Sequence, residues 1–171
     1  MINEKVNKAF NEQIKKEMYS AYLYLSMATQ FYSDGLEGIG QWLRVQAFEE
    51  LTHAMKFFDH IVERDGRVEL EEIEKPPSQW DSPVSAFKDA LKHEEYITGE
   101  INKLVDLSEK EKDYASKTLL QWFVDEQVEE EGTASKVLQE LEMVKGSPHA
   151  LLMLDRELGS RTAGSEEDEE E

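Results

Sequence analysis

The chain has 171 residues, of which 39% are hydrophobic and 33% charged, enough for about one soluble domain with a proper core. It contains no cysteine, which excludes disulfides, thiolate metal sites and cysteine nucleophiles and suits a cytoplasmic location. With 38 acidic residues against 19 Lys and Arg, its formal charge of −19 disfavours nucleic acid and anionic membranes as partners and attracts cations.

Six of those charges lie in the terminal run Glu166 to Glu171, so the remainder still carries about −13. The opening MINEKVNKAF lacks the apolar stretch of a signal peptide, and no run approaches the roughly 18 apolar residues of a membrane span. These features predict an intracellular soluble protein.

From Val6 to Tyr32 the apolar residues Val6, Phe10, Ile14, Ala21, Leu25 and Ala28 recur at helical spacing, and Glu17 interrupts their stripe. Ser33 to Gly38 reads as a turn. A second helix follows with Leu43, Ala47, Ala54, Phe57 and Ile61 on one face and Glu50 and His53 among them; Asp65-Gly66 ends it, with the glycine expected in the left-handed conformation. Residues 67 to 82 show no helical period and contain Pro76-Pro77. A connection of that length fits a crossover running the length of a helical bundle.

Ser82-Pro83 then supplies an N-cap and a first-turn proline. The third helix sets Phe87, Ala90, Leu91, Ile97, Ile101 and Leu104 on its stripe, with Glu94 among them. After a polar turn between Ser108 and Asp113, the fourth places Leu119, Phe123, Ala134, Val137 and Leu141 inward, interrupted by Gln127 and Glu130. Ser147-Pro148 opens a short fifth helix with Leu151, Leu154 and Leu158. Residues 1–161 form the expected domain, and 162–171 read as a disordered acidic tail.

Each long helix thus carries ionisable groups where packing calls for hydrocarbon. Glu50-x-x-His53 puts a carboxylate and an imidazole one turn apart on one face, spacing that suits two ligands of one metal ion. Antiparallel pairing of the first two and of the last two helices would bring Glu17, Glu50, Glu94 and Glu130 close to a common level. An isolated buried carboxylate costs several kcal/mol, and neighbouring like charges cost more. Divalent cations resolve this, and one imidazole among several carboxylates is a hard donor set suited to iron or manganese. Two ions about 3.5 to 4 Å apart would use Glu50 as their bridge.

Several stretches, QIKKEMYSAYLYLSM (Gln13 to Met27), EELTHAMKF (Glu49 to Phe57), GRVELEEIEKPP (Gly66 to Pro77), Lys92-His93-Glu94 and QWFVDEQVEEE (Gln121 to Glu131), carry a family resemblance. To about Arg161 the chain resembles the non-haem ferritins of bacteria and archaea. The resemblance implies an all-α, ferritin-like four-helix bundle with a long crossover between the second and third helices and a short fifth helix. It further implies a homo-oligomeric hollow shell of 24 subunits that oxidises Fe(II) with O2 or H2O2 and stores ferric oxyhydroxide mineral inside.

By matching position, the resemblance assigns Glu17, Glu50 and His53 to a first iron and Glu50, Glu94 and Glu130 to a second, with Gln127 adjacent. It assigns Glu49, Glu126, Glu129 and Glu130 to a third iron site. Tyr24, two turns after Glu17, matches a tyrosine beside the centre, and Trp122 a nearby aromatic. His60, His93 and His149 read as surface or hydrogen-bonded histidines, and Met18, Met27 and Met55 as core.

The fourth helix has Gln127-x-x-Glu130 where bacterioferritins carry a second Glu-x-x-His, and Leu51 stands where their haem-binding methionine lies; no haem is expected. A di-iron peroxidase or oxidase of rubrerythrin type would want that second motif and cysteine-ligated iron. A DNA-protecting shell would want basic arms. A metal-free helical scaffold would leave the acids unexplained. The sequence names no electron donor for iron release.

Overall fold

The computed structural model describes residues 1–162 and contains five helices among them. They are α1 (Glu4–Ser33), α2 (Glu37–Glu63), α3 (Pro83–Lys110), α4 (Tyr114–Met143) and α5 (Pro148–Leu158). The expected tail lies almost wholly outside the described residues. At 27 to 30 residues each, the four long helices span roughly 40 to 45 Å.

Local chemistry sets the helix starts. The Asn3 side chain accepts from the backbone of Lys5 and Val6, and Asp113 and Ser147 cap α4 and α5. Ser82 and Ser85 form a reciprocal capping box ahead of α3, with Pro83 in its first turn. At the end of α2 the left-handed residue is Asp65 (φ 56°) and not Gly66. Gly66 is required for another reason: a Cβ there would meet Asn7 Oδ1 at 2.5 Å and the Ile2 side chain at 2.8 Å.

The helices pack as antiparallel pairs, α1 with α2 and α3 with α4; α1 faces α3 across the pairs and α5 lies on α2. Segment 67–82 is the crossover, tied along α1 by alternating hydrogen bonds. Asn11 accepts from Glu69 N at 2.7 Å, Ser26 Oγ donates to Pro77 O at 2.6 Å, and the Gln30 amide exchanges bonds with the Trp80 backbone at 2.7 Å. From Asn11 to Gln30 that is roughly 28 Å of helix, so the crossover carries the chain from one end of the bundle towards the other.

The apolar core is divided in two. One cluster, towards the α1–α2 turn, includes Met27, Phe31, Leu43 and Phe87; the other, towards the opposite end, includes Phe10, Phe57, Ile101 and Phe123. Between them lies a buried polar layer of Gln13, Glu17, Gln46, Glu50, His53, Glu94, Gln127 and Glu130. Some predicted core positions differ: Leu25 and Met55 are exposed at 37% and 39%, and Met18, Leu91, Leu119 and Leu151 are only partly buried, with Leu120 deeper than Leu119. Each sits at the margin of an apolar stripe, where one residue is 100° of rotation.

Candidate metal centre

Glu17 comes from α1, Glu50 and His53 from α2, Glu94 from α3, and Gln127 and Glu130 from α4. All six are buried, Glu17, Glu50 and Glu94 to 1% exposure. One ligand atom each from Glu17, Glu50 and His53 lies within 4.8 Å of the other two, and the same holds for His53, Glu126 and Glu130. His53 joins the groups by presenting Nδ1 to Glu50 at 3.5 Å and Nε2 to Glu126 at 3.4 Å.

A layer of amides and hydroxyls orients the acids. Gln13, one turn before Glu17, donates to its Oε1 at 2.7 Å; Gln46, one turn before Glu50, donates to Glu50 at 3.3 Å and to Glu130 at 2.6 Å. Gln127 Nε2 faces Glu94 O at 3.2 Å and Glu94 Oε2 at 3.4 Å, and the Tyr24 hydroxyl donates to Glu94 Oε1. The second oxygen of Glu17 has no hydrogen-bond partner although it is buried. A lone acceptor of this kind, aimed at two other potential ligands, fits a cation better than it fits a packed core.

Burial, reinforced by the Glu50 charge, pushes the carboxyls of both Glu17 and Glu130 up to about 8. Burial also raises Glu94 well above the ordinary range, with Glu50 and Glu130 adding to it. For Glu50 burial acts upward, but the bond and charge of His53 and the Gln46 amide outweigh it and hold the group below its ordinary value. Burial alone would lower His53; its bonds to Glu126 and Glu50 raise it well above 6.5. Burial and mutual repulsion thus oppose charge on Glu17, Glu94 and Glu130, while His53 and Glu50 favour each other's charged forms. Burial and the charge of Glu94 lift the Tyr24 phenol as well, so it remains a hydrogen-bond donor.

The residues expected at a third site have different surroundings. Glu126 lies against His53, whereas Glu129 is exposed, and Glu49 forms an ion pair with Arg161 at 2.6 Å. The Trp122 ring meets the His53 imidazole edge-on, 5.5 Å between centroids, and carries Lys56 Nζ 4.0 Å above its centre. His93 is bonded to Ser20 at 2.7 Å, His60 to Ser116 at 3.0 Å, and His149 is exposed.

Of the orienting glutamines, the sequence reading singled out Gln127 but not Gln13 or Gln46. Their signal was available: Gln13 and Gln46 each precede a stripe glutamate by four residues, on the same helix face. Arg161, 112 residues from Glu49, left no such trace.

The ferritin-like domain model matches residues 7–144, most of the bundle. The chain belongs to the ferritin family. It is 37% identical to a bacterial non-heme ferritin of Bacteroides fragilis over 161 residues, covering 94% of this chain and all of the relative. To that of Campylobacter jejuni it is 38% identical, with 91% and 93% covered. The fold is close to that of an open pore ferritin from the hyperthermophilic archaeon Archaeoglobus fulgidus, at a TM-score of 0.93 and 51% identity over 95% of this chain and all of that one. A closed form of the Archaeoglobus fulgidus ferritin made by site-directed mutagenesis superposes at 0.94 with 50% identity, covering 95% and 99%. This ferritin chain thus has the expected all-α bundle with its crossover and short fifth helix, and among its described residues no helix is long and apolar enough to cross a membrane.

Proposed function

We propose that this chain is an iron-storage ferritin whose buried polar layer is a di-iron ferroxidase centre. The observation that carries the reading is the convergence of ligand atoms from Glu17, Glu50 and His53, with Glu94 and Glu130 buried within reach of the Glu50 charge, between two apolar clusters. One ferrous ion is held by Glu17, Glu50 and His53, the other by Glu50, Glu94 and Glu130, with Gln127 alongside.

Iron here is substrate and cargo. Two ferrous ions supply two electrons, which with two protons reduce one O2 to H2O2, or one H2O2 to two waters. Carboxylate oxygens stabilise the ferric product more than the ferrous reactant, so the donor set favours oxidation. The protein's part is to bind, orient and deprotonate. Protons leave Glu17, Glu94, Glu130 and His53 as the ions bind, because each must be unprotonated to ligate. Gln13, Gln46 and Gln127 hold the acids in place, and Tyr24 fixes Glu94 through its hydroxyl. Glu126, partly exposed beside His53, forms with His53 and Glu130 a second group that could hold an ion.

The family supports storage of the ferric product as oxyhydroxide mineral inside a shell of 24 subunits, in the cytoplasm. Aerobic loading with a few hundred ferrous ions per 24 chains, then size-exclusion chromatography with iron counted in the protein peak, tests the whole reading. Iron well above three ions per chain should co-elute at roughly 480 kDa, the mass of 24 chains of 19.8 kDa. Two or three ions per chain on a small oligomer would instead mean an oxidase without storage.

A further inference from the structure

Arg161 is the last basic residue of the chain, and it leaves the end of α5 to reach the polar layer. Its Nη2 donates to Glu49 Oε2 at 2.6 Å and its Nη1 to Gln46 Oε1 at 2.9 Å, while its guanidinium carbon lies 4.5 Å from the centre of the Trp42 ring. The side chain is only 10% exposed. Ion pair, amide bond and stacked ring together fix the guanidinium plane far more tightly than an ordinary surface ion pair would.

The amide contact extends its influence inward. A guanidinium only donates, so Gln46 must turn its carbonyl to Arg161 and its NH2 to Glu130 and Glu50. Arg161 is therefore bound directly to one residue assigned to the third iron and, through a single amide, to another. It also adds an attractive charge at Glu130, opposing the burial that raises that carboxyl.

We propose that the Arg161 guanidinium is the resident counter-ion of the third iron position, and that a third cation gains Glu49 only by displacing it. The inference rests on the di-iron reading above. A divalent ion approaching Glu49 meets a fixed positive charge at ion-pair distance, so the third position fills after the two between the helices and is the first to empty. Arg161 acts as a positioning residue, through Glu49 and Gln46, and touches none of the reacting atoms.

The test is calorimetric titration of metal-stripped, full-length protein with Zn2+, which is redox-inactive, in the wild type, R161Q and R161Q/E49Q. The same titration follows Trp42 emission in a W80F/W122F background that retains Arg161. In R161Q the third ion should bind roughly tenfold more tightly relative to the first two. Adding E49Q should cancel that gain. Trp42 emission should shift at the third equivalent as the guanidinium leaves the ring. Equal third-ion affinity in wild type and R161Q, even with a lower melting temperature, would make Arg161 a simple staple of α5 and overturn the proposal. So would an unchanged Trp42 signal at the third equivalent. Only two ions per chain in both wild type and R161Q would likewise overturn the proposal, whereas wild-type protein that binds no ions at all would sink the di-iron reading itself, a distinct result.

Discussion

Glu50 is the residue on which the polar layer turns: it pairs with His53, accepts from Gln46, and raises Glu17, Glu94 and Glu130 by its charge. Replacing it with Ala removes the shared ligand, and the initial rate of aerobic Fe(II) oxidation by stopped-flow absorbance should fall by roughly a hundredfold or more. A wild-type rate would remove Glu50 from the bridge. Gln13 acts one shell out. Gln13→Ala removes the amide that donates to Glu17 Oε1, and the first ion should bind about 10- to 100-fold more weakly by anaerobic titration. An unchanged affinity would show that Glu17 needs no orienting partner.

At the scale of elements, the docking of α5 on α2 depends on a missing side chain. A Cβ on Gly38 would lie 1.6 Å from the Asp155 carbonyl oxygen, and in the same place the Asp155 carboxylate accepts from Ile39 N at 2.8 Å. Gly38→Ala must push the two helices apart. It should cost about 1 to 3 kcal/mol or more, seen as a lower melting temperature with faster proteolysis within α5; unaltered protease resistance of α5 would mean that the helices can slide to absorb the methyl group. Because α5 delivers Arg161, the same variant should loosen the contact with Glu49. Helices α1, α3 and α4 are less fragile, since each has a side-chain cap and an apolar stripe of its own.

For the whole molecule, the buried acids couple stability to pH and to metal. Glu17 and Glu130 sit at about 8 in the folded chain against 4.5 ordinarily. The folded state binds these protons more tightly, so their contribution is fully present below about pH 4.5 and is lost as pH rises through about 8. Each carries on the order of a few kcal/mol of that slope. Metal-free protein should therefore melt at a lower temperature at pH 9 than at pH 6, the double variant E17Q/E130Q should flatten the difference, and Zn2+ should restore it. A flat wild-type profile would mean that these acids are ionised already. The same linkage predicts proton release when Zn2+ is added in weak buffer at pH 7, diminishing above pH 8, as measured by an indicator dye; no release would place the acids in the charged state beforehand.

The sequence alone determined the helices, the long crossover, and the presence of acids on four apolar stripes. These are properties of local periodicity and capping: Glu17, Glu50, Glu94 and Glu130 stood out because each replaced a hydrocarbon at a position the stripe reserved. It also carried the family, through motifs such as Glu50-x-x-His53. Stripe margins were less legible, as Leu25 and Met55 show, because burial there depends on which neighbour happens to cover them. Tertiary structure decided what lies between elements: the division of the core by a polar layer, the turn of both His53 nitrogens to carboxylates, and the reach of Arg161 into Glu49. Those contacts join residues up to 112 positions apart, and no period or cap encodes a separation of that size. They arise only when packing of the apolar faces fixes the helices and leaves the charged groups a few ångströms in which to find partners.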